Sequence, residues 1–200
     1  MWVGFGIDPT HQVIGFACAD LGNKRKGFVD LAEALALLPE SLRRRVSLLS
    51  FGRAPGPELR TRIAGPWIHL GFLDTETAQV AAYSAMDVFV IPSRAEAFGL
   101  TALEAAACGA TIVGTNVGGI PEVLHNGGCG VLCRAGDAAD LRGQITAALE
   151  PGLRRPGTAD TAHNRIQEAH AAATCARRYV GVCRQVSTAA LRESSLTPVR

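Results

Sequence analysis

The chain has 200 residues, 48% hydrophobic and 19% charged, with a formal net charge of +2. That is apolar material for one sizeable core, and the charge balance gives no reason to propose a nucleic-acid partner. No 18-residue apolar run is present and the leading residues lack signal-peptide character, so no membrane span and a cytoplasmic location are expected.

In chain order, Gln12–Ala19, Val46–Phe51, Trp67–Gly71, Asp87–Ile91, Ala110–Gly114 and Gly130–Cys133 read as buried strands. They are short, bounded by turn residues and apolar at nearly every position, which calls for cover on both faces. The helical patterns between them are Phe28–Leu38, Thr75–Met86, Leu100–Cys108, Pro121–Leu124, Ala138–Leu149 and a long arginine-rich Asn164–Leu191. Strand and helix alternate, which predicts an α/β, doubly wound, Rossmann-like domain with about six parallel strands. Residues 12–150 would form its body, and residues 151–200 its closing helices after the loop-like Pro151–Asp160.

That last segment holds eight arginines against Asp160, Glu168 and Glu193. A basic helix of this kind suits a solvated face, an acidic neighbour or peripheral contact with an anionic membrane at its inner face. The six cysteines (Cys18, Cys108, Cys129, Cys133, Cys175 and Cys183) show no metal-ligand spacing and read as free buried thiols.

The chemistry concentrates between Asp87 and Cys108. A strand ends near Ile91, a Pro-Ser turn follows and a helix begins around Thr101, at the edge of a parallel sheet where open α/β folds bind ligands. The N–H groups of Leu100, Thr101 and Ala102 open that helix and attract a phosphate, and Gly99 lets an anion come close. Glu104 has two readings on spacing alone. Its carboxylate can accept bonds from two vicinal ribose hydroxyls, or it can close a capping box over Thr101. Glu96 is a loop carboxylate, either solvated or functional.

Upstream, Leu21–Lys26 places Lys24, Arg25 and Lys26 before Gly27 and a helix. Three cations there suit a diphosphate, or simply a solvated loop. Gly118-Gly119-Ile120-Pro121-Glu122 reads as helix initiation or as a direct ligand contact. His69 reads as a satisfied strand residue and His125 as a surface one. No Ser-His-Asp set, metal cluster, Walker loop or Gly-x-Gly-x-x-Gly stands out, which weakens a nicotinamide or flavin reading.

Glu96 and Glu104 match the Glu-x7-Glu signature of retaining glycosyltransferases of family 4, which have two Rossmann-like domains in the GT-B fold. Asp87–Ser93, Glu96–Leu100, Glu104–Gly109, Gly118–Val123 and Gly136-Asp137 resemble that family's landmarks in its order, and the similarity runs from about Gln12 to Val186. The resemblance implies that Glu104 holds the nucleotide ribose and Glu96 contacts the donor sugar. It also implies that backbone around Phe98, Gly99 and Leu100 meets the diphosphate or sugar, and that Gly71 touches the base. Lys26-Gly27 fits the family's basic loop. The usual arginine after the strand glycine is replaced by Phe16, so Arg25 is expected to supply the guanidinium. The resemblance implies neither cofactor nor metal, the nucleotide sugar being the donor substrate.

By the same resemblance, residues 1–11 look like the linker entering a C-terminal donor domain. The expectation is a donor domain that works with an N-terminal acceptor domain or a separate acceptor subunit, most simply as a fragment of a longer enzyme. The alternative is a non-catalytic nucleotide-sugar-binding module. In the family the last helix packs on the N-terminal domain, so residues from Ala171 onward are expected to show an unsupported apolar face.

Overall fold

The computed structural model describes residues 5–150, 164, 166, 168 and 171–194. Six strands, β1 (Gln12–Asp20), β2 (Val46–Arg53), β3 (Trp67–His69), β4 (Val88–Ile91), β5 (Thr111–Thr115) and β6 (Gly130–Cys133), form one sheet ordered β3-β2-β1-β4-β5-β6. Every neighbouring pair is parallel. The predicted Rossmann-like sheet is therefore present.

Parallel pairing demands crossovers, and helices supply them on both faces. Along β4, Val88 and Val90 point to one side, with α1 (Phe28–Ala36) and α7 (Ala138–Leu149). Phe89 and Ile91 point to the other, with α4 (Glu76–Ser84), α5 (Leu100–Ala107) and α6 (Ile120–Gly127). Both sets are buried, which is why the strands read as continuous apolar runs. Ala102, Ala105 and Ala106 are fully buried on α5, and their small side chains let that helix lie close to β4 and β5.

Several boundaries differ from the sequence reading. Helix α6 continues to Gly127 rather than stopping at Leu124, and Gly128 follows it at φ 54°. A left-handed glycine just past a helix is a strong stop, and it lies four residues beyond the last apolar position. Two one-turn helices, α2 (Glu40–Arg43) and α3 (Pro57–Arg60), have no apolar periodicity and no buried residue, so pattern reading had nothing to find. β3 stops at His69, leaving Gly71 in the loop beyond it.

Residues 164, 166 and 168 are helical, and Ile166 is buried in the α4–α6 side of the core. The long helix α8 spans Ala172–Ser194. The predicted Pro151–Asp160 loop lies outside the described residues, as does the side chain of His125. Among the described residues no helix is long and apolar enough to cross a membrane, and no group of three or more His, Cys, Asp or Glu could hold a metal ion.

Candidate functional site

The strand order reverses at β1 and β4, so the chain leaves these neighbours in opposite directions and opens a crevice at their carboxyl ends. Two loops meet there. Residues 21–27 follow β1 and residues 92–99 follow β4.

The first loop is wound into a 3₁₀ turn, Lys24–Lys26, whose start is capped by Asn23 Oδ1 accepting from the Arg25 N–H at 3.0 Å. Gly27 ends it at φ 72°, and a Cβ there would lie 1.9 Å from the Pro92 carbonyl oxygen. Glycine is thus required, and its absence of side chain presses the two loops together. The second loop is anchored by Thr115 Oγ1, which donates to the Ser93 carbonyl at 2.6 Å. Gly118 and Gly119 press on its outer side, where added Cβ atoms would fall 1.6 Å from the Glu96 carbonyl oxygen and 2.7 Å from Phe98 Cα. The Gly119 N–H also donates to the Ala97 carbonyl at 3.1 Å. The glycine pair therefore has a packing reason, and the loop's shape depends on it.

These supports bring Lys26 Nζ to 2.7 Å from Glu96 Oε2. Ser93 Oγ donates to the same oxygen at 3.3 Å, and the Ala97 N–H donates to Oε1 at 3.2 Å. Burial alone would raise the Glu96 pKa, but the bond and charge of Lys26, helped by Ser93 and Ala97, outweigh it and hold the carboxyl below its ordinary value. Glu96 is consequently ionised at neutral pH. Arg25 lies in the same turn with its side chain exposed, and it forms no ion pair among the described residues.

Gly99, at φ 94°, begins α5 without a side-chain cap. The N–H groups of Ala102 and Leu103 both bond to the Gly99 carbonyl, whereas those of Leu100 and Thr101 have no backbone acceptor among the described residues. Of the three N–H groups expected to attract a phosphate, those of Leu100 and Thr101 are open and that of Ala102 is already engaged. Phe98 is half-buried against the core beside them.

The capping-box reading of Glu104 fails, because the helix starts at Gly99 and Thr101 already lies inside it. Glu104 instead accepts a hydrogen bond from Tyr83 Oη at 2.8 Å. Burial raises the Tyr83 pKa most, and the Glu104 charge and hydrogen bond raise it further, so the phenol remains a donor. One Glu104 oxygen is steered this way at the wall of a cleft of about 140 Å³, lined also by Cys18, Phe72, Gln79 and Thr101. Phe72 is 71% exposed. Gly71, at φ 72°, precedes it and accepts from the Gly52 N–H at 2.7 Å, which turns the chain over the cleft.

Tyr83, Arg94 and Asp30 carry no signal in the sequence, and Ser93 does so only as the last residue of the Asp87–Ser93 landmark. Tyr83 sits 21 residues before Glu104 on another helix, and no local pattern links them. Two other expectations need correction. His69 is only half satisfied, since Nδ1 contacts Ser50 Oγ at 2.9 Å while the buried Nε2 has no partner. No two of the cysteines are joined in a disulfide, but Cys175 and Cys183 are exposed on α8 and Cys108 is half-buried, so only Cys18, Cys129 and Cys133 are buried as expected.

A crevice at the switch point, a helix N-terminus with two open N–H groups and a carboxylate over a cleft are chemically suited to a phosphorylated, hydroxyl-bearing ligand. Residues 11–151 match the family model described as Glycosyl transferases group 1, and the chain belongs to that family. It is 33% identical over 171 residues to D-inositol 3-phosphate glycosyltransferase of Segniliparus rotundus, covering 79% of this chain and 37% of the relative. The sucrose-phosphate synthase structure from Thermosynechococcus elongatus superposes with a TM-score of 0.70 and 27% identity, over 90% of this chain and 47% of that one. Anabaena HepE in complex with UDP-glucose gives 0.70 at 22% identity, over 88% of this chain and 49% of that one, a likeness of fold. These matches place the chain as a GT-B glycosyltransferase domain. It spans less than half the length of the relatives it matches.

Proposed function

We propose that this domain binds the donor in a glycosyl transfer, taking a nucleotide-diphosphate sugar and passing its sugar on with retention of configuration, as in family 4. The observation that carries the reading is the Lys26–Glu96 contact at 2.7 Å beside the uncapped start of α5. Relatives with glycosyltransferase names and a fold neighbour complexed with UDP-glucose support it.

In this reading the ribose lies on Glu104, whose free oxygen lone pairs accept from its hydroxyls while Tyr83 holds the carboxylate in place. The base enters the cleft near Gly71 and Phe72. The diphosphate meets the N–H groups of Leu100 and Thr101, with Phe98 and Gly99 shaping the approach. Glu96 accepts from the sugar hydroxyls. As the bond from the anomeric carbon to the diphosphate oxygen breaks, its electron pair goes to the leaving phosphate. Lys26, with Arg25, offsets that charge in place of a divalent cation. The acceptor hydroxyl bonds to the anomeric carbon and gives its proton to the departing phosphate oxygen.

Acceptor recognition is assigned to a second unit, either elsewhere in the same polypeptide or in a separate subunit. A cytoplasmic location follows from use of a soluble nucleotide sugar. Calorimetry with UDP, GDP and ADP tests the donor site. At least one should bind, and chelation with EDTA should leave its affinity unchanged. Binding of none of the three would refute the assignment, and affinity lost on chelation would refute the metal-free part. Sugar transfer with a supplied acceptor domain separates an enzyme from a binding module.

A further inference from the structure

Lys26 and Glu96 are 70 residues apart and belong to loops that leave different strands, so no secondary structure fixes their spacing. A shift of about 1 Å between the loops would break the hydrogen bond. Gly27 against Pro92 sets only how closely the loops approach. A second connection controls their relative slide, and it runs through Arg94.

The Arg94 N–H donates to the Arg25 carbonyl at 2.8 Å, tying the residue before Lys26 to the residue two before Glu96. The Arg94 guanidinium then grips Asp30 with both ends, Nε to Oδ2 at 2.9 Å and a terminal nitrogen to Oδ1 at 2.6 Å. Asp30 is on the first turn of α1, four residues after Lys26, and is only 3% exposed. A bidentate guanidinium–carboxylate pair fixes both distance and orientation, and a carboxylate this buried requires its partner. The loop after β4 is thereby held at two points to the segment that carries Lys26, and none of Arg25, Asp30 and Arg94 lines the cleft.

We propose that Asp30 and Arg94 are positioning residues, a clasp between the two loops that sets Lys26 Nζ against Glu96 and so shapes the diphosphate end of the site. Its consequence for ligand binding rests on the donor-site reading, whereas its effect on the Lys26–Glu96 contact does not. Neither residue touches the ligand. The clasp acts through the backbone of Arg25 and the loop leading to Glu96.

Two measurements on the full chain test it. The first follows the Glu96 carboxyl by NMR through a pH titration. In Arg94→Gln the Glu96 pKa should rise toward the ordinary glutamate value. The same rise is expected in Asp30→Asn/Arg94→Gln, which leaves no buried charge unpaired and so protects against a folding failure. Arg94→Lys, which keeps the charge but not the two-pronged grip, should fall between. The second measures affinity for UDP, GDP and ADP. Arg94→Gln should weaken the tightest of them about 10-fold, in line with small displacements of oriented groups. In a Lys26→Gln background the same change should cost nothing further. An unchanged Glu96 titration in both variants, or an equal affinity loss with and without Lys26, overturns the clasp. If the wild-type chain binds none of the three nucleotides, the donor-site reading fails by itself and the Glu96 titration still decides the clasp.

Discussion

Glu96 and Glu104 carry the same charge but are treated differently by their surroundings. Glu96 is held by a cation, and its pKa lies below the ordinary 4.5. A carboxyl depressed on folding adds stability that is full above the unfolded value and is lost as pH falls through the folded one. Stability of the wild type should therefore decline with acid below about pH 4.5 more steeply than that of Glu96→Gln, as urea midpoints across this range will show. Glu104 is exposed and partnered by one phenol, so its contribution should appear in binding rather than in folding. Glu104→Gln is expected to lower nucleotide affinity about 10-fold while leaving pyrophosphate affinity intact, measured by calorimetry. If the substitution only lowers the melting temperature, the ribose role is wrong. Tyr83→Phe should give a smaller loss of nucleotide affinity, about 3-fold, because the carboxylate stays in place and loses only one orienting partner.

Among the elements, what could be read from sequence follows from how local the cause is. The strands announced themselves because β4 and β5 are covered on both sides, and α7 was bounded correctly by its amphipathic pattern, with Leu141, Ile145 and Leu149 buried at helical spacing. The start of α5 at Leu100 was legible, but the capping-box spacing of Thr101 and Glu104 offered a second reading that fails, because the cap position is Gly99 with its left-handed backbone and Thr101 already lies inside the helix. Lys26 and Glu96 were both chosen from sequence, but their contact depends on loop packing that no spacing encodes. The Gly118-Gly119 turn belongs to this level too. Gly118→Ala combines a left-handed φ of 53° with a Cβ 1.6 Å from the Glu96 carbonyl oxygen. It should destabilise the domain by at least about 2 kcal/mol in urea denaturation, and the loop carrying Glu96 should shift.

For the molecule as a whole, the informative feature is helix α8. Tyr179 is 74% exposed, and Val182 and Val186 at helical spacing after it are also exposed, as the family resemblance led us to expect. Arg177 and Arg184 fall on the opposite side by helical spacing, and Arg178 flanks the apolar stripe. Replacing Tyr179, Val182 and Val186 with serine should raise solubility without lowering the melting temperature, because these side chains add nothing to the sheet's core. The sheet itself presents its crevice at one edge, and everything proposed for function depends on the ligand entering there. Amide chemical shifts of the full chain, followed as UDP, GDP or ADP is added, test that most directly. The largest changes should fall on Leu100 and Thr101, with smaller ones at Lys26 and Gly71. Changes confined to another face of the sheet, such as the groove between Leu124 and Leu132, would contradict it.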